Sequence, residues 1–442
     1  MSPRQRPPAP GISRTLGALG LLAVMLPVNV VMTGAAALLN AGRTPPRRSA
    51  PVPRTIMLSG GKMTKALQLA RSFHRAGHRV ILVETSRYRF TGHRFSNAVD
   101  AFHVVPSPEE SGYVDALLRI VQAENVDVYV PVCSPVASWF DSLAKERLSP
   151  YCEVLHVDPD LLHRLDDKYE FSVLAAAAGL AVPDTHRITS PEQVADFDFA
   201  GSDRTYVLKS IAYDPVGRLD LTPLPRPTAS ETLQFARGKQ ISEDNPWILQ
   251  EFVVGTEYCT HSTVRNGDVQ VYCCCESSAF QLNYAMVDKP AIEAWVTRFC
   301  GELGLTGQVS FDFIERADGT LLAIECNPRT HSAITMMYDH PDLAAAYLDD
   351  DVPMIRPLPS SRPTYWLYQE LWRMLRRPRT IRERLRVVLH GKDAIFDRSD
   401  PTPFLLVHHL QIPLLLLGNL RRRAPWIRID FNIGKLVEPA GD

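Results

Sequence analysis

The chain carries almost no net charge, −1 at neutral pH over 442 residues, and its pI lies near 6.9. So weak a field offers nothing to a polyanion, which excludes nucleic acid as a partner. The eight cysteines include no Cys-x-x-Cys pair. Cys273, Cys274 and Cys275 stand in a row, where strand side chains alternate faces and cannot jointly grip one ion. They read as reduced thiols in a cytosolic setting. A phosphate-binding P-loop is missing too: SGGKMTK (59–65) lacks the glycine five positions before Gly61 and has Met63 where Ser or Thr would hold magnesium. The segment reads instead as a structural or substrate-side turn. His261, His331 and His340 have spacings that suit no shared face, so they make no histidine metal set.

The richest stretch runs from Gly307 to Arg329, GQVSFDFIERADGTLLAIECNPR. Two apolar runs flank Asp318-Gly319, which predicts a hairpin with a two-residue turn. That turn sets Asp312 opposite Glu325 and Ser310 opposite Asn327. Alternation along a strand points Glu325 and Asn327 the same way, with Asp312 across from them. Two opposed carboxylates repel unless a cation sits between them, and an all-oxygen set suits a hard ion such as Mg²⁺. Phe311, Phe313 and Ile324 are expected on the other, core face.

Asp312, Glu325, Asn327 and Arg329, spaced D-x₁₂-E-x-N-x-R, resemble the metal-binding end of the ATP-grasp ligases. Segments 59–85, 128–145, 324–341 and 431–438 are similar to those of the ATP-grasp subfamily that makes mycosporine-glycine, so the resemblance runs from about Arg54 to the C-terminus. It implies an α/β ATP-grasp fold with an N-terminal open parallel-sheet domain and a C-terminal helical extension. It also implies ATP and Mg²⁺, with Mn²⁺ as a substitute. Lys168, at a helix start, and Lys209, in the apolar strand YVLKS where a cation needs an anion, take the positions that hold the α- and β-phosphates. Gln250, Glu251, the main chain near Phe252 and Val253, and Glu257 take those of the nucleoside contacts; Gln250 departs from the commoner Glu, though its amide can still pair with an adenine rim. Lys209 and Arg329 are the implied catalytic residues. Arg329 stabilises a phosphorylated intermediate or binds glycine's carboxylate, and His331 and Ser332 follow it as candidates for the substrate pocket.

The implied reaction phosphorylates 4-deoxygadusol and joins it to glycine, giving mycosporine-glycine, ADP and phosphate. Two alternatives share the motifs: a carboxylate-amine ligase that makes an amide from another acid, and a non-catalytic, membrane-attached ATP-binding protein.

A chain this long exceeds one core. Residues 1–54 read as a hydrophobic segment and a Pro/Arg linker, 55–151 as an α/β domain, 152–345 as the ATP-grasp domain and 346–442 as the extension. Folded structure is expected to begin at Thr55, with TIMLS a strand, Lys62 to Ala76 a helix burying Ala66, Leu67, Leu69, Ala70 and Phe73, and RVILVE the next strand. No residue from Thr15 to Gly42 is charged, and Leu16 to Leu39 could cross a hydrocarbon core of about 30 Å or lie in its interface. Membrane association of a cytoplasmic catalytic domain is expected. Arginines flank both ends, so the positive-inside rule selects no orientation. YWLYQELWRMLRRPRTIRERLR predicts a surface helix, with a basic membrane-facing patch as the second reading, and Phe404 to Leu420 a packed or interfacial one.

Overall fold

The structure is a computed structural model that describes residues 11–40, 50–201, 203–212, 220–277 and 283–438. Most of the Pro/Arg linker, 41–49, lies outside the described residues. Helix α1 (Ile12–Asn40) precedes an open sheet of β1 (Thr55–Leu58), β2 (Arg79–Thr85), β3 (Ala101–Val105), β4 (Val128–Val130) and β5 (Glu153–Val154). The strands are all parallel, in the order β3-β2-β1-β4-β5. Their apolar runs are what a sheet covered on both faces requires. The cover comes from α2 (Thr64–Arg75), α3 (Tyr113–Glu124) and α4 (Pro135–Leu148), with the five predicted α2 positions fully buried. Strand order reverses between β1 and β4, and there the carboxyl ends of the strands open a crevice of the kind in which such sheets bind ligands.

Helices α5 (Pro159–Asp166) and α6 (Lys168–Ala177) lead into a three-stranded antiparallel sheet, in which β6 (Thr185–Ile188) and β7 (Tyr206–Ser210) flank β8 (Trp247–Glu251). Residues 252–255 cross to a second antiparallel sheet of β9 (Thr256–Arg265), β10 (Asp268–Glu276), β12 (Gly307–Glu315) and β13 (Leu321–Asn327), in the order β10-β9-β12-β13; the short β11 (Asn283–Tyr284) lies between in sequence. Phe171, Trp295, Phe299, Phe311 and Phe313 pack beneath this sheet, with Trp295 and Phe299 stacked at 5.0 Å between centroids.

The hairpin turn differs from expectation. Arg316 N donates to Thr320 O and Gly319 N to Arg316 O, each at 2.9 Å, so the loop has three residues with Gly319 at φ +84°. This shifts the pairing by one: Phe313 faces Ala323, not Ile324. A bulge at Ile324 takes up the odd residue, and beyond it Asp312 faces Glu325 and Ser310 faces Asn327. The same bulge turns Ile324 away from the Phe311–Phe313 core toward Val253, Ile314 and Leu322.

Two segments pack into the main core. Ordered structure starts well before Thr55, because Leu22 of α1 belongs to the main core. The C-terminal helical extension packs into the body. Trp366, Phe404, Ile412 and Phe431 share that core with Ile56 and Phe73. Trp366 Nε1 donates to Thr64 Oγ1 at 3.1 Å, and the buried Arg71 guanidinium pairs with Asp400 at 2.9 Å. Apolar burial joined the region to the N-terminal sheet because its helices, 367–376 and 402–422, carry one buried face each.

Candidate active site

The site is a cleft between the two antiparallel sheets. Asp312 on β12 and Glu325 on β13 oppose each other, with Asn327 two residues on. Asn327 Nδ2 lies 3.2 Å from Glu325 Oε1 and 3.4 Å from Asp312 Oδ2, and Arg329 donates to Asn327 Oδ1. Asp167 caps α6 by accepting from Tyr169 N and Glu170 N, which starts the helix with Lys168 in its first turn. From there Lys168 Nζ comes within 3.7 Å of Glu325 Oε2. Lys209, on β7, projects to the same cleft and donates to Gln250 Oε1 at 2.8 Å.

The electrostatics follow from crowding like charges beside unlike ones. A third of the Glu325 side chain opens to the cleft, yet the surrounding protein withholds most of its solvation. That burial pushes the Glu325 carboxyl up, and Lys168, Lys209 and the Asn327 amide overcome it and hold the pKa near 2. Asp312 is pushed well above the carboxylate range, first by burial and then by the Glu325 charge. Burial lowers the Lys209 ammonium. A pair this strained, beside two cations, is a fitting receptor for a divalent cation: Asp312, Glu325 and the Asn327 amide oxygen would hold it once the amide turned over. Among the described residues no three His, Cys, Asp or Glu are placed to hold a metal; here the third donor is an amide.

The other predicted residues divide. Glu257 is exposed and pairs with Ile314 on the ladder that carries Asp312. Glu251 is turned to structure: Arg316, from the hairpin turn, donates to it, and Arg204 lies 3.8 Å away. The Glu251 and Phe252 amides are taken by the carbonyls of Asp184 and Thr205, at 2.8 and 2.7 Å. Val253 joins Ile314, Leu322 and Ile324 in an apolar patch. The His331 main-chain N donates to Nδ1 of His261, on β9, at 3.2 Å. Ser332 Oγ accepts from Asn432 at 2.7 Å.

Several residues of this region were not singled out. Fully buried Lys65 donates from α2 to Thr330 O and, at 3.4 Å, to Cys133 O; burial lowers its pKa to about 8. A lysine among α2's inward positions was the available signal. Cys133 also lines a cavity of about 240 Å³ at the carboxyl ends of β1 to β4, with Lys62, Glu84, Arg87 and Asp141. Asp141 Oδ1 accepts from Tyr113 and Tyr129 at 2.6 and 2.7 Å, and burial raises its pKa to about 6. Lys65 thus joins the cavity wall to the end of the carboxylate hairpin. A larger depression of about 410 Å³, lined by Lys145, Glu153, Leu161 and Leu305, contains none of the candidate residues.

No protein-family model matches the sequence, and the search of curated proteins gave no match. Solved structures are. An N5-carboxyaminoimidazole ribonucleotide synthetase, determined as its ADP complex, superposes with a TM-score of 0.54 at 16% identity, over 75% of this chain and 87% of its own. The chain has the ATP-grasp fold. An L-amino acid ligase from Bacillus licheniformis gives a TM-score of 0.50 at 16% identity, over 66% of this chain and 71% of its own. The biotin carboxylase domain of Hydrogenobacter thermophilus 2-oxoglutarate carboxylase, in complex with MgADP, gives 0.50 at 13%, over 63% and 65%. In this fold Lys168, Lys209, Asp312, Glu325 and Asn327 converge, and Lys65 links them to the polar cavity of the parallel-sheet domain.

Proposed function

We propose that the chain is an ATP-dependent ligase that phosphorylates 4-deoxygadusol and joins it to glycine. One observation carries the ATP-dependent part: two opposed carboxylates and an amide, Asp312, Glu325 and Asn327, face two lysines from separate elements, Lys168 and Lys209. The lysines bind the phosphates of ATP, and the apolar patch around Val253 takes the base, its rim read by Gln250 and main-chain groups. Glu257 faces the ribose. Mg²⁺ held by the three oxygen donors would neutralise charge on the transferred phosphoryl group. Similarity of fold to enzymes determined with ADP and MgADP supports the nucleotide and the cation.

The acceptor reading rests on the resemblance of segments 59–85, 128–145 and 324–341 and on the cavity that the first two of them border. 4-Deoxygadusol is a vinylogous acid whose enol oxygen behaves as a carboxylate oxygen. That oxygen attacks the γ-phosphate and ADP leaves; glycine's amine then adds to the ring carbon and phosphate departs. Arg329, which donates to Asn327, would stabilise the phosphorylated intermediate, and His331 and Ser332 would belong to the substrate pocket. The need for ATP and eight free, buried cysteines support a cytoplasmic setting. Incubating purified protein with ATP, Mg²⁺, 4-deoxygadusol and a panel of amino acids tests this: an ultraviolet-absorbing ring-amine adduct formed with glycine is expected, and an amide product or no adduct contradicts it.

A further inference from the structure

Helix α1 is built the wrong way round for a helix facing water. Three of its five buried residues are polar, Thr15, Asn29 and Thr33, the others being Leu22 and Ala36. Ala18, Leu19, Met25 and Met32 pack partly against the core, but a second apolar face points outward, where Val24, Val31 and Leu38 are 73%, 71% and 77% exposed. A surface helix of a soluble protein shows the reverse pattern, and a contiguous exposed apolar face marks an interaction surface.

The buried stripe is tied down along the whole helix. At its start Trp426 Nε1 donates to Thr15 Oγ1 at 2.9 Å, and the Arg14 guanidinium lies 4.4 Å over the Trp426 ring. In the middle Asn29 Nδ2 donates to Tyr368 OH at 2.5 Å and meets His409 Nε2 at 2.7 Å. At its end Asn40 donates to the Arg398 carbonyl. A helix of 29 residues is about 43 Å long, and these contacts hold it lengthwise on the body. Crossing a bilayer would break all three and carry the Asn29 amide into hydrocarbon without its partners.

Beside α1 lies the helix pair 367–376 and 381–390, reached through Tyr368. This stretch has seven arginines against two glutamates. One of those, Glu370, is buried and paired to Arg373 and Arg384, and the other, Glu383, is paired to Arg384. Trp372, Leu375 and Leu389 are exposed among the arginines, the composition of a helix that sits at a headgroup boundary. So basic a flank repels a second copy of itself. It complements an anionic lipid surface.

We propose that α1 and the helix pair 367–390 seat this protein in one leaflet of an anionic bilayer, with α1 lying in the membrane plane. The test is flotation of the full-length protein with vesicles of phosphatidylcholine alone or enriched in phosphatidylglycerol. Binding to the enriched vesicles, weakened by salt, is expected. Val24→Glu with Val31→Glu should abolish it. Arg376→Gln, Arg379→Gln and Arg382→Gln together should weaken it about a hundredfold; each variant is first checked for a native circular dichroism spectrum. Because the native cysteines are buried, Val24→Cys, Val31→Cys and Leu38→Cys can each carry a fluorophore whose depth is read with lipid-borne quenchers. Equal, shallow depths support the in-plane seat. A gradient of depth along the helix, no flotation, self-association in place of flotation, or binding unchanged in the glutamate variants would overturn it.

Discussion

Lys168 reaches from the first turn of α6 to within 3.7 Å of Glu325, so the N-terminal end of one helix and the far strand of the hairpin meet at a single carboxylate. With Lys209 it holds that carboxylate ionised at neutral pH, while Asp312 opposite is driven toward its protonated form. Glu325→Gln keeps the shape of the side chain and removes its charge. Turnover should fall by at least about a hundredfold, with an unchanged circular dichroism spectrum and a weakened Mg²⁺ requirement curve. Wild-type turnover at saturating Mg²⁺ would contradict the assignment.

Asp141 gives a pH-dependent stability term. Burial raises its pKa from 3.8 to about 6, so the folded state prefers the protonated form. The stabilisation is complete below pH about 4 and is lost as pH rises through about 6, a change of about 2 to 3 kcal/mol. Asp141→Asn lacks this term. Urea midpoints measured from pH 4 to pH 7 should therefore move in the variant's favour relative to wild type as pH rises; parallel curves would contradict the burial argument.

Arg71 and Asp400 fasten the C-terminal region to the N-terminal sheet. The guanidinium also donates to the carbonyls of Ile395 and Asp400, and Asp400 accepts from Ser96 and from Asn97 N. Arg71→Met leaves a buried carboxylate without its cation and should cost about 3 to 5 kcal/mol. Adding Asp400→Asn should recover part of that in thermal unfolding. No recovery would mean that the two groups do not act as a pair.

How much could be read from the chain depends on range. The Asp312–Glu325 pairing was legible because alternation and a Gly turn are local, yet the turn has three residues, and the pairing stands only because the bulge at Ile324 offsets the extra one. Ile324 itself was misplaced for that reason. Phe311 and Phe313 were legible as core-facing from strand alternation. The meeting of Ser332 with Asn432, of Thr64 with Trp366, and of α1 with Trp426 depends on tertiary packing between distant segments, for which hydrophobic period gives no register. The His331 main-chain amide reaches the His261 ring because β9 runs beside the hairpin, a proximity that spacing along the chain does not show.

The path of one oxygen atom tests the central claim. With ¹⁸O at the enol oxygen of 4-deoxygadusol, attack of that oxygen on the γ-phosphate followed by displacement by glycine must deliver the label to inorganic phosphate. Mass spectrometry of the released phosphate should show one ¹⁸O per turnover and none left at that ring position in the product. Label retained in the product, or phosphate labelled instead from ¹⁸O-carboxylate glycine, would contradict the account.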